Sequence, residues 1–217
     1  MGLAISVGQL AFLRQHESPE EVKRFREELH AVNRVLAANA LPAHAEPESL
    51  PEIGDRVAVG SIPYSWLHHA RRAVAYAMRP GNRFRPLRED ESPSEDPVYD
   101  AVLSSFASHV ICHSDCEGFY VPIDFPEPLY DELSDDDAGM IVGGILGSSQ
   151  GGLRELVLAA PLIDIKLESG RLSDTEAQAV CKEPEGSHPH WVGRQAWLYL
   201  HERLRQSVEF KTAVVFG

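Results

Sequence analysis

"GILGSSQGGLRELVLAA", residues 144–160, is the stretch that decides which fold this chain can have. Together with the preceding "MIV", its apolar start reads as a buried strand or as the lead-in to a helix. From Ser148 onward it reads as a helix behind a serine cap. Inside it, "GSSQG" matches G-x-S-x-G with Ser149 central, the spacing that presents a nucleophilic serine on a tight strand-to-helix turn. A hydrolase elbow needs several parallel strands before it, whereas a capping Ser148 or Ser149 needs none. The surrounding sequence supplies mainly helices. The fold expected is therefore α+β, with four or five helices packed around a small mixed or antiparallel sheet.

Working outward, "IDIKLESGRL" after the helix resembles a two-stranded edge hairpin turning at Gly170. "SDTEAQAV" carries a capping box, Ser173 with Glu176. "HWVGRQAWLYLHERLRQSVEF" places Trp197, Leu200, Leu204 and Val208 on one buried stripe, and "TAVVFG" suits a final strand. Toward the N-terminus, Leu3 to Val7 alternates like a strand. "SPEEVKRFREELHAVNRVLAAN" has Ser18 and Glu21 as a capping box, Pro19 at the first helical position and Asn39 at the exit. "GSIPYSWLHHARRAVAYAM" puts Leu67, Ala70, Val74 and Ala77 on one face, with Ser61 and Pro63 as start signals. "VYDAVLSSFASHVI" reads as one helix opened by Asp96 and Pro97. "LPAHAEPESLPEIGD", "RPGNRFRPLREDESPSEDP" and "PEPLYDELSDDDAG" are loops by composition. With no internal repeat and 217 residues, one globular domain over 1–217 is expected.

A net charge of −13 argues against a nucleic-acid partner, because phosphate contact draws on clustered Lys and Arg. It is compatible with a basic protein partner. Three cysteines, Cys112, Cys116 and Cys181, suggest no disulfide framework. Neither a secretory signal nor a span long enough to cross a bilayer is read, although Ser6 fits M-G-x-x-x-[ST]. A cytoplasmic protein with reduced thiols, without cofactor or membrane contact, is expected; the oligomeric state stays open.

The other unusual stretch is "HSDCEGFYVPIDF", residues 113–125. Cys112, His113, Asp115 and Cys116 are possible metal ligands, but neighbours on one short segment rarely converge, and no second ligand pair has zinc-like spacing. No metal is expected. Asp115 and Glu117 beside Cys116 would suppress its thiolate. Asp115 and Gly118 favour a tight turn, followed by a strand with one buried face. Three ionisable groups this close cannot all be buried unpaired, so His113, Asp115 and Glu117 are expected to border a polar recess. The candidate binding residues are His113, Ser114, Asp115, Cys116, Glu117 and Tyr120, together with Ser148, Ser149 and Gln150. The alternative is a hydrolase, serine-based through Ser149 or metal-assisted near His113. For it, Asp164 and Asp174 followed by His188, His190 and His201 keep the order Ser, Asp, His.

The "GSSQG" fragment resembles the G-x-S-Q-G stretch of cutinase-like esterases. Across "SIPYSWLHHARR", "HSDCEGFYVPIDFPEPLYD", "GILGSSQGGLRELV" and "TAVVFG", the chain resembles an uncharacterised family of bacterial proteins with an H-S-D-C-E-G-[YF]-Y-V-P motif. A weaker likeness, in the "MG" start, the W-L-H helix and the V-V-x-G-like end, is to the YfbM-like proteins. These resemblances imply no activity. Families of this kind include candidate immunity proteins, which implies a protein-binding module, immunity-like, with an acidic surface.

Overall fold

The computed structural model describes residues 2–57, 60–133 and 139–217. Among them are five strands: β1 (Ile5–Val7), β2 (Gly118–Val121), β3 (Leu129–Tyr130), β4 (Ile145–Ser148) and β5 (Val214–Phe216). They form one sheet in the order β1-β5-β2-β4-β3. β2 and β4 run parallel, and the other pairs are antiparallel. The fold is α+β with a mixed sheet. The described α-helices are α1 (Gln9–His16), α2 (Pro19–Ala38), α3 (Tyr64–Met78), α4 (Pro97–Leu103), α5 (Ser149–Ala159), α6 (Asp174–Cys181) and α7 (Trp191–Phe210). That exceeds the four or five expected.

Helices sandwich the sheet. On one face α2 lays Phe25, Leu29, Val32 and Leu36 against Phe119, Val121 and Leu146. On the other, α3, α5 and α7 bring Leu67, Val74, Leu156, Trp197 and Leu204 against Tyr120 and Val214. Alternation along β2 therefore sends Phe119 and Val121 one way and Tyr120 the other. Every residue of β2 is buried, which corrects the expectation of a single buried face: β2 is an interior strand with helices on both sides.

The strongest local signals produced the helices they announced. Ser18 Oγ accepts the Glu21 amide at 3.3 Å, with Pro19 next to it. Ser173 Oγ accepts the Glu176 amide at 3.3 Å. Three boundaries differ. Helix α1 has no side-chain cap and starts from Gly8 at φ 75. A Cβ at Gly8 would meet Leu50 at 2.6 Å, so packing and backbone conformation both require glycine there. Helix α4 stops at Leu103 instead of running on to Ile111: the amides of 104–106 close on local carbonyls, Phe106 turns the chain at φ 55, and a tertiary acceptor holds the segment beyond. Buried Glu155 accepts His109 N at 2.7 Å, Val110 N at 3.0 Å and Ser108 Oγ at 2.7 Å. The hairpin expected at residues 163–172 shrinks to one bridge, Glu168 with Arg171, outside the sheet. Ser169 and Gly170 turn it, both at positive φ. In the acidic connection after β3, residues 134–138 lie outside the described set.

Candidate functional site

The "GSSQGG" junction is dry. Ser148 is the N-cap of α5, accepting the Gly151 amide at 3.0 Å from an unstrained extended backbone. Ser149 is the first helical residue. Its hydroxyl is fully buried and bonds Ser207 Oγ at 2.7 Å, and Ser207 donates to the Thr212 carbonyl at 2.6 Å. Gln150 keeps its Oε1 buried without a partner among the described residues. The glycines have a steric cause. A Cβ at Gly147 would lie 2.3 Å from the Tyr120 ring, one at Gly151 2.1 Å from His109, and one at Gly152 2.7 Å from Leu204. His109 is itself fixed. Its Nδ1 accepts the Ser148 amide at 3.2 Å, so its Nε2 carries the proton and donates to Phe125 O at 3.1 Å.

The hydrolase alternative fails on this geometry. Ser149 has no histidine bonded to it, no access to solvent and no strained elbow. His201 is buried, stacked on Trp197 at 4.6 Å and bonded to Glu202 at 3.1 Å. His188 sits 3.3 Å from Asp164, and Asp174 pairs with Arg56. Near His113, no group of three or more His, Cys, Asp or Glu among the described residues could hold a metal ion.

The segment from His113 to Tyr120 is built around Arg71 of α3, which the sequence reading did not single out. Arg71 is buried and donates to Val110 O at 2.9 Å, His113 O at 2.7 Å and Ser114 O at 3.2 Å. Its remaining Nη1 pairs with Asp115. Asp115 also meets His68 at 3.2 Å. Burial works to raise the Asp115 carboxyl, but the His68 bond and the Arg71 charge outweigh it and hold the group far below the usual carboxylate range. His113 is buried between two carbonyls, Ser114 O at 3.0 Å and Phe119 O at 3.3 Å, and stacks on Tyr120 at 4.2 Å. Burial, chiefly, lowers its pKa to about 4, so the ring is neutral at pH 7. Gly118, at φ 116, lets the chain pass that ring, which a Cβ would approach to 3.1 Å.

His113 therefore does not face a recess, and neither does Tyr120, whose hydroxyl donates to His109 O at 2.8 Å. Ser114 and Asp115 are partly buried, while Cys116 and Glu117 are exposed. These last two line a cleft of about 360 Å³ between α1, α2 and the β2–β5 end of the sheet. From α2 the cleft receives Glu21, Arg24 and Glu28. Arg24 bonds Glu21 at 2.8 Å and approaches Glu28 at 4.0 Å. Burial raises the Glu28 carboxyl, Arg24 opposes this and Glu21 adds to it. Glu117 has no ion pair or hydrogen bond to its carboxylate among the described residues. Two carboxylates thus share one guanidinium, a third stands unpaired beside them, and the cleft is acidic. Glu21 was legible only as the capping-box partner of Ser18, and Glu28 was not singled out; nothing in their spacing shows that the fold brings Glu117 to them.

An acidic cleft on an α+β scaffold is the kind of surface that an acidic protein-binding module presents. The chain belongs to a family whose model, described as "Putative DNA-mimic protein", matches residues 1–216. No curated protein and no solved structure matches. Family membership along the whole chain is thereby shown, but neither the H-S-D-C-E-G-[YF]-Y-V-P motif as its hallmark nor the YfbM likeness is. The membership corrects the expectation of no connection to nucleic acid. Negative charge disfavours direct phosphate contact, but the family description connects the chain to nucleic acid through proteins that bind DNA. A basic protein partner is compatible with this. Among the described residues no helix is long and apolar enough to cross a membrane.

Proposed function

We propose that the chain, folded as one unit over residues 1–217, acts in the cytoplasm as an acidic decoy that occupies the DNA-contacting face of a DNA-binding protein. The observation that carries this reading is the cleft, where Glu21, Glu28 and Glu117 outnumber Arg24. A partner whose Lys and Arg side chains are placed for phosphates would gain from those carboxylates and would be steered by the net charge of −13. The family description supports the same reading. Of the candidate binding residues, Cys116 and Glu117 make contact in this proposal. His113, Ser114, Asp115 and Tyr120 hold the turn, and Ser148, Ser149 and Gln150 hold the strand-to-helix junction behind it. An immunity-like version, with a toxin as the covered partner, uses the same chemistry, and no observation singles it out.

The test is capture from extract of the source cell on the immobilised chain, followed by elution with duplex DNA. Displacement of the bound protein by duplex DNA is expected. The Glu28→Gln, Glu117→Gln double variant should melt like the parent yet bind that protein at least about tenfold more weakly, roughly 1.4 kcal/mol. A partner that duplex DNA cannot displace would overturn the reading.

A further inference from the structure

A second concavity, of about 500 Å³, lies where the start of α7 meets α3 and the segment joining α3 to α4. Its size is that of ordinary ligand pockets, and the acidic cleft does not use it. Its walls are aromatic. Trp66 of α3 and Trp191 of α7 meet edge to face at 5.0 Å, and Phe84 stacks on His190 at 4.9 Å. His69 of α3 also lines it. Among the described residues, no hydrogen bond reaches a ring nitrogen of His69 or of His190. His188 is different, because its Nδ1 already accepts the His190 amide at 3.0 Å. The His69 and His190 rings are both partly buried and line the recess, so their nitrogens are open to a molecule that enters it.

The recess carries charges of both signs. Arg72 is bonded to Asp96 at 2.6 Å, and Glu91 to Arg85 at 2.5 Å. Arg88, Glu89 and Glu185 have no ion pair among the described residues. Phosphate would meet Glu89 and Glu185; an ammonium group would meet Arg72 and Arg88. Burial first, then Arg72, His68 and His190, lower the His69 pKa to about 4. Burial and His188 lower that of His190. Each ring is neutral at pH 7 and offers one donor and one acceptor. A flat ligand edge carrying both kinds of group complements such a pair, while the indoles supply area for its face.

We propose that this recess binds a planar, uncharged heteroaromatic molecule of the nucleobase class, stacked against the Trp66–Trp191 pair and hydrogen-bonded along its edge by His69 and His190. The proposal does not depend on the DNA-mimic reading. Tryptophan fluorescence reports on it directly, because two of the three tryptophans line the recess; the third, Trp197, is fully buried and bonded to Leu156 O at 2.7 Å. Adenosine, guanosine, cytidine and thymidine are titrated into the full chain. Saturable quenching by at least one of them is expected, with Kd below about 1 mM. His69→Ala should weaken that binding at least about tenfold, and His190→Gln supplies the same comparison if His69→Ala lowers the melting temperature. Absence of quenching by every nucleoside up to about 10 mM, or quenching untouched by a folded histidine variant, overturns the proposal. So does tighter binding of benzoate, benzamidine or a nucleoside monophosphate, since each would show that charge selects the ligand.

Discussion

The segments 113–121 and 147–152 use a similar alphabet of serine, glycine and polar groups, and they meet on neighbouring parallel strands, where Tyr120 faces Gly147 and Val121 faces Ser148. Yet the fold treats them differently. At 147–152 both serine hydroxyls are bonded inside the protein, and three glycines serve only to let rings and a leucine come close. At 113–121 one buried arginine anchors the carbonyls, and that anchoring frees Cys116 and Glu117 to reach solvent. The lesson is that polar letters beside glycine mark a site only where some of them reach solvent unspent. A segment whose hydroxyls are all bonded inside the protein is architecture, whatever motif it spells.

The largest effect should come from removing the anchor. Arg71→Met leaves the Val110, His113 and Ser114 carbonyls without their donor and Asp115 without its main partner. A loss of about 3–5 kcal/mol is expected in urea unfolding. A loss under about 1 kcal/mol would mean that the 113–121 turn holds without Arg71, and the contrast between the segments would collapse.

Acid should strike both segments through their histidines. His109 and His113 are each lowered to about 4 from 6.5, chiefly by burial. The unfolded chain takes up these protons between those values and the native chain does not. Stability is therefore full above about pH 6.5 and falls as pH descends toward 4, by up to about 1.4 kcal/mol per unit for each ring. A loss on the order of 3 kcal/mol between pH 7 and pH 5 is expected from urea melts. Imidazole resonances that titrate near 6.5 in the native protein would show that the rings are not held dry.

Smaller still is Gly151→Ala. The new methyl would land on the His109 ring, which two hydrogen bonds hold in place, so about 1–3 kcal/mol should be lost. The same change at Gly170, where a Cβ meets nothing, sharpens the reading: only its positive φ is at stake, and about 1 kcal/mol is expected.

Much of the fold was legible from local signals. Ser18, Pro19 and the apolar stripe of α2 announce that helix, and the Trp197–Leu200–Leu204 stripe announces α7, because caps and periodicity act over a few residues. What could not be read is what arrives from far along the chain. Glu155 fixes the chain beyond α4 by taking the amides of residues 109 and 110, and the aromatic face of Tyr120 dictates Gly147. The candidate site was half legible. Its exposed half, Cys116 and Glu117, was named from composition. Its α2 half, Glu21 and Glu28, was not, since tertiary packing, Phe25 on Phe119 at 6.1 Å with Leu29, Val32 and Leu36 beyond, brings that helix alongside.

Strand β5 lies between β1 and β2, with Ile5 opposite Phe216 on one side and Gly118 opposite Phe216 on the other. The order in which a ribosome releases the chain is thus the reverse of what this sheet needs. β1 emerges early and has no neighbour until some two hundred residues later, and β2 must wait with one edge open. Pairings this distant in sequence make for slow closure and for an exposed strand edge while the wait lasts. Sheet closure, and with it the end of the acidic cleft lined by Val215 and Phe216, waits on β5: a chain caught before that strand docks would carry its charge but not its shape.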